Sequence, residues 1–303
     1  MQHSWSGQGS AKMRIYLYAL MASLGLGVLH GCDSGSTPEQ QQNANRAAQQ
    51  MPASSVQAIP TFEATPLRAT YHVARCQKKA CAEIEIYTLH SASPWFDQWL
   101  LAHLAKVIQQ QHTVEATPTN TSLSLQQAVN RYAKQSAAWQ QEFVQNRPYD
   151  LQIKSSIAAQ QHPYVLLQVA VDSEQGDRSV KQRLYFDVLD LQAKQHVALA
   201  DVIAPAQQAA FSQWLQQQYR RWLKDQSKAV QMTAPKQLQW KSVDWFFDQE
   251  GIGLHYRANE IVADSASLDI YLSKAQTQTW LKPEVYAQMF TAPSGLKTDT
   301  KLD

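Results

Sequence analysis

Three runs between Tyr149 and Asp190 alternate apolar and polar residues, and this alternation most narrows what the chain can fold into. Tyr149, Leu151, Ile153 and Ile157 share one side of the first run. Val165, Leu167, Val169 and Val171 share one side of the second, and Leu184, Phe186 and Val188 one side of the third. Period-two spacing belongs to strands with one face on a core, so the runs predict a half-buried antiparallel meander. Helical spacing precedes it. Ser93-Pro94 starts a helix, with proline where its missing N–H costs nothing, and Phe96, Trp99, Leu100, Leu104 and Val107 share one face. A second helix begins near Ser124, with Gln127 completing a capping box and Ala128, Val129, Tyr132, Trp139 and Phe143 as its stripe. A third carries Phe211, Trp214, Leu215, Tyr219, Trp222 and Leu223. Residues 243–248, 251–258 and 267–273 read as closing strands, and Thr277 to Gln288 is helical around Pro283. The class is α+β: antiparallel sheets packed with amphipathic helices.

The amino-terminal segment sets the compartment. Lys12 and Arg14 precede an apolar stretch from Ile15 to Leu29, too short to span a bilayer comfortably and laid out like a secretory signal. Leu29-His30-Gly31-Cys32 resembles the lipobox of bacterial lipoproteins, with His30 where a small or β-branched residue is usual. The resemblance implies cleavage before Cys32 and lipidation of its thiol. Asp33 then resembles the signal that retains a Gram-negative lipoprotein in the inner membrane. An uncleaved anchor is the alternative, and both readings put the remainder outside the cytoplasm. The expected location is the cell envelope, lipid-anchored at the periplasmic face of the inner membrane. Residues 1–31 are read as signal peptide, 32–65 as a polar tether, 66–291 as one domain (66–172 and 173–291 as its two parts), and 292–303 as a loose tail.

Lys and Arg number 27 against 25 Asp and Glu; removing Lys12 and Arg14 with the signal leaves 25 against 25. A balanced chain without basic clusters lacks the electrostatic footprint of a nucleic-acid binder. Cys76 and Cys81 are an even pair in an oxidising compartment, flanked by Tyr71 and Val73 before and Ala82, Ile84 and Ile86 after. They predict a hairpin clipped by a Cys76–Cys81 disulfide worth about 2 kcal/mol.

No nucleophile elbow, P-loop or HExxH motif occurs, and the nine histidines are scattered, none paired at ligand spacing. No metal site and no cofactor is expected, and His103 reads as a rim or core histidine. Asp187/Asp190 and Asp248-Gln249-Glu250 read as solvated strand-end acids; hidden carboxylates among them would make a glycan-acting enzyme. Of Trp245, Phe246 and Phe247, alternation puts Phe246 on the face away from the core.

Leu184-Tyr185-Phe186-Asp187, a turn, then Leu199-Ala200-Asp201-Val202-Ile203 and an amphipathic helix resemble the RsiV-type extracytoplasmic domain. The aromatic strand at Trp245, its glycine turn and Arg257-Ala258-Asn259-Glu260-Ile261-Val262 resemble that family's closing hairpin. The first hairpin and helix look like the companion domain that precedes it in RsiV-type and PdaC-type proteins. One feature departs: Glu174-Gln175-Gly176-Asp177-Arg178 stands where many relatives carry a Gly-Gly-Ala-His loop. The resemblance implies a non-catalytic envelope domain that binds a lysozyme-type protein or peptidoglycan, through a surface the sequence does not locate. A scaffolding lipoprotein for another envelope protein is a further expectation, and the lipid anchor makes the membrane itself a partner.

Overall fold

The chain is described by a computed structural model over residues 61–73, 81–111, 122–142, 145–176, 178–263 and 265–291. Cys32, Asp33, Cys76, Phe143 and Asp177, with the signal, most of the tether and the tail, lie outside the described residues.

Strands β1 (Ala64–Arg68), β2 (Glu83–Ser91), β3 (Asp150–Gln161), β4 (Tyr164–Gln175), β5 (Arg178–Asp190) and β6 (Gln195–His196) form one sheet in chain order. All neighbours are antiparallel except β2 and β3, which run parallel with Glu83 opposite Asp150. A parallel pair needs a crossover. Helices α1 (Pro94–Gln110) and α2 (Leu125–Glu142) supply it. The local chemistry of both starts is as the sequence predicts. Phe96 N–H donates to the Ser93 hydroxyl at 3.4 Å. Ser124 N–H donates to Gln127 Oε1 at 2.9 Å, and Gln127 N–H donates back to Ser124 Oγ at 3.3 Å.

The helices bury Phe96, Leu100, Leu104, Val129 and Tyr132 against one face of the sheet, where Ile86, Leu151, Ile153, Leu167, Val169, Tyr185 and Leu189 lie. The other face is covered in part. Tyr164, Leu166 and Val188 enter a second core with α4 (Gln208–Lys224) and the three-stranded antiparallel sheet β7 (Asp244–Phe247), β8 (Gly251–Tyr256) and β9 (Leu268–Ser273). Between β6 and α4 lies the short helix α3 (Leu199–Val202), and α5 (Lys228–Thr233) follows α4. The expectation of a half-buried meander holds for β3, where Lys154, Ser156 and Ala158 are exposed, and is corrected for β5 and the start of β4, which are covered on both sides. On β5 the side chains read as outward, Tyr185, Asp187 and Leu189, are buried, while Leu184 and Phe186 are only half-buried.

The first hairpin also differs from its expected form. The β1–β2 ladder ends at Arg68 opposite Tyr87. Tyr71 and Val73 lie outside any strand, and α2 holds this segment instead: His72 N–H donates to Gln126 Oε1 at 2.8 Å, and Gln126 Nε2 donates to His72 O at 2.7 Å. The Phe62 ring meets Phe96 at 4.9 Å. At the other end the expected helix is two, α6 (Lys274–Trp280) and α7 (Pro283–Phe290), with Pro283 opening the second. Among the described residues no helix is long and apolar enough to cross a membrane.

Trp245 and Phe247 are buried and Phe246 is not fully so, as alternation predicts. Phe246 nevertheless bridges Phe186 (5.1 Å) and Tyr271 (6.3 Å) and lies across Gly253. A Cβ on Gly253 would stand 2.0 Å from the Phe246 ring. Gly253→Ala is expected to cost about 1–3 kcal/mol by overpacking, seen as a lower urea midpoint with an unchanged slope.

Candidate functional site

Asp187 is the centre of a polar cluster that no local pattern announces. It points from β5 toward α1, where His103 Nε2 stands 3.0 Å from Asp187 Oδ2; from β6, His196 Nε2 stands 3.3 Å from Oδ1. Trp99, one helical turn before His103, stacks on it with centroids 5.0 Å apart and lies 6.2 Å from the His196 ring. Alternation explains the meeting. Tyr185, Asp187 and Leu189 share the helix-facing side of β5, and the β5–β6 turn folds His196 back onto it.

Beside this triad the open edge of β5 receives a second group. Asp244 of β7 accepts the Phe186 N–H at 3.1 Å and pairs with Arg257. Arg257 also pairs with Glu260 at 2.9 Å and lies over the Tyr185 ring at 4.4 Å. The Tyr185 hydroxyl accepts from Gln111 Nε2 at 2.8 Å. Burial pushes the Asp244 carboxyl up to about 6; Arg257 opposes the shift and the Asp187 charge adds to it. Burial pushes the His103 imidazole below its ordinary value, against the upward pull of Asp187, with His196, Lys106 and Arg257 pushing further down. His103 is therefore neutral at pH 7.

This corrects the reading of Asp187 as a solvated strand-end acid: it is 8% exposed and shared by two imidazoles. Asp190 and Asp248 do sit in turns. Asp190 Oδ1 accepts the N–H groups of Gln192 and Ala193, and Asp248 Oδ1 those of Glu250 and Gly251 together with the Tyr271 hydroxyl at 2.6 Å. Among the described residues no three His, Cys, Asp or Glu side chains are grouped to hold a metal ion. The departing β4–β5 loop turns at Gly176, whose φ of +63° and contact with the Trp139 ring both suit glycine alone. Cys81 begins the described residues after the gap that contains Cys76.

Two grooves open to solvent. One, of about 670 Å³, lies between the β1–β2 hairpin and the starts of α1 and α2; Leu67 (53% exposed) and Leu101 (39%) line it. The other, of about 520 Å³, runs between α4 and β9, with Trp214, Gln217 and Arg221 on one wall and residues Leu268 to Tyr271 on the other.

No protein-family model matches the chain, and no curated protein matches it at a significant level. Solved structures do. A DUF3298 family protein from Pseudomonas aeruginosa PAO1 superposes with a TM-score of 0.51 at 19% identity, covering 76% of this chain and 98% of that one. A DUF3298 family member from Bacteroides fragilis gives 0.48 at 14% identity over 76% and 97%. The structural neighbours of this chain are thus DUF3298 family proteins, and with the first of them it shares an α+β fold.

Proposed function

We propose that this chain is a lipid-anchored envelope lipoprotein of the RsiV-like kind, whose folded domain captures a lysozyme-type protein stoichiometrically and without chemistry. The observation that carries the reading is the groove at Leu67 and Leu101, two large apolar side chains held in solvent on neighbouring elements. Apolar side chains exposed together in one concavity mark an interaction surface. Among the acids that an enzyme reading would recruit, Asp190 and Asp248 are taken up by turn N–H groups, while Asp187 faces His103 and His196. Acylation of Cys32, retention through Asp33 and the Cys76–Cys81 clip belong to the same proposal.

The test is direct. Purified chain should co-elute with lysozyme and lower its lytic rate in proportion to the amount added. Leu67→Asp together with Leu101→Asp should weaken capture at least tenfold while the melting curve stays in place, because both side chains are exposed. Unaltered lysis at saturating protein would refute the lysozyme reading, and retention on purified sacculi in that case would move the ligand to peptidoglycan. Cys32→Ser should abolish palmitate labelling; normal labelling would end the lipoprotein part.

A further inference from the structure

The groove between α4 and β9 is a separate feature with its own chemistry. β9 is the outer strand of its sheet, paired with β8 on one side and with no strand on the other among the described residues. Four consecutive residues, Leu268 to Tyr271, line the groove, so the strand's main chain forms its wall. Ser273 N–H donates to Gln276 Oε1 at 3.0 Å, away from β8. In an antiparallel pair alternate residues face the same way, so Asp269 and Tyr271 also turn their N–H and C=O groups to the open edge. Such an edge is a template for another strand unless it is covered.

The opposite wall is an α4 ridge. Trp214 packs one side of its indole near Trp280 (6.2 Å) and Phe211 (5.7 Å) and is only partly buried. Arg221 is exposed, donates to Gln218 Oε1 at 3.4 Å, and makes no ion pair among the described residues. The one carboxylate lining the groove, Asp269, is taken by His255 Nδ1 at 2.6 Å. A strand edge, a flat indole and an unpaired guanidinium ask for an extended chain with an apolar side chain and a carboxylate.

We propose that this groove binds an extended, carboxylate-bearing segment of a protein partner, which adds to β9 as a fourth strand. Its main chain pairs with Asp269 and Tyr271, its carboxylate meets Arg221, and an aromatic or aliphatic side chain lies on Trp214. Trp214 and Arg221 are two helical turns apart, about 10 Å. The peptide's acid and apolar residue therefore stand two to four strand positions apart at about 3.4 Å each. This site is independent of the Leu67/Leu101 groove.

The probe is an array of random twelve-residue peptides of L-amino acids, applied to the full-length chain in detergent. Expected hits carry Asp, Glu or a free carboxyl terminus two to four residues from Leu, Phe, Tyr or Trp. Arg221→Glu should weaken them at least tenfold and select lysine-bearing counterparts. Tyr271→Pro, which removes an outward N–H, should abolish binding, and the Asp269 and Tyr271 amides should exchange more slowly when peptide is bound. Hits indifferent to both variants, or no hits, overturn the proposal. So does binding of a chitin tetrasaccharide that these variants abolish, which makes the groove a glycan site. Peptide binding seen only after deletion of residues 292–303 overturns it too, by giving the edge to the chain's own tail. Lysozyme capture on the same samples reads the Leu67/Leu101 proposal separately.

Discussion

Arg257→Ala is expected to lower stability by about 3–5 kcal/mol, the cost of breaking a buried ion pair from one side. For a domain of this size that is roughly a 10 °C drop in melting temperature. Arg257 is 11% exposed and answers three groups at once: Asp244, Glu260 and the face of Tyr185. Its removal leaves Asp244 in a site that already pushes its carboxyl up to about 6, and Asp244 cannot withdraw to solvent while it holds the Phe186 N–H. Arg257→Lys keeps the charge but not the forked geometry, so it should fall between wild type and alanine.

The same cluster predicts a pH signature. Asp244 has a folded pKa near 6 against an ordinary 3.8, so the folded state binds its proton more tightly. The destabilisation from its charge is fully present above about pH 6 and is relieved as pH falls toward 3.8. His103 works in the opposite sense. Its folded pKa lies below 6.5, so its contribution is present above pH 6.5 and is lost as pH falls toward the folded value. The two slopes oppose each other in wild type. Asp244→Asn should reveal the His103 loss on acidification, and His103→Gln should reveal the Asp244 gain, each as the slope of melting temperature between pH 7 and pH 5. Parallel slopes in the two variants would contradict the assignment.

Trp245→Ala is expected to be as damaging, about 3–5 kcal/mol for a fully buried tryptophan. Trp245 is 1% exposed, and its indole N–H donates to Val197 O at 2.8 Å, tying the small sheet to the residue just after β6. Alanine opens a cavity between β7 and α4 and also strands the Val197 carbonyl. Trp245→Phe separates the two effects. It keeps most of the volume and loses the hydrogen bond, so about 1–3 kcal/mol should remain. Urea midpoints give both values, and loss of near-ultraviolet dichroism in the alanine variant only would show that packing, more than the hydrogen bond, orders this core.

Legibility in the sequence followed the range of the interaction. Ser93-Pro94 and the Ser124/Gln127 box were readable because a helix start is decided by atoms within four residues of one another. The α4 stripe was readable for the same reason: Phe211, Leu215 and Tyr219 are buried, and Trp214, Trp222 and Leu223 are half-buried. The face of β5 was misread because a period of two says only that two faces differ. It is silent on whether one is wet, and here the helices cover one and the small sheet the other. His103 was legible as a rim or core histidine but not as a partner of Asp187. Nothing in the sequence near residue 103 records what lies near residues 187 and 196.

The sequence by itself determined the three long helices and where two of them start, the meander and closing strands, the α+β class, and which of Trp245, Phe246 and Phe247 face inward. Those follow from steric and capping preferences that act over a few bonds, and from the hydrophobic period each backbone imposes. Only the tertiary structure decided that β2 and β3 run parallel, that β5 and the start of β4 are covered on both faces, and that Asp187, His103 and His196 meet beside Asp244 and Arg257. It also decided that β9 keeps an open edge beside Arg221. Those outcomes depend on the order in which strands pair, and charges at the junctions respond to burial, a property of the whole packed molecule.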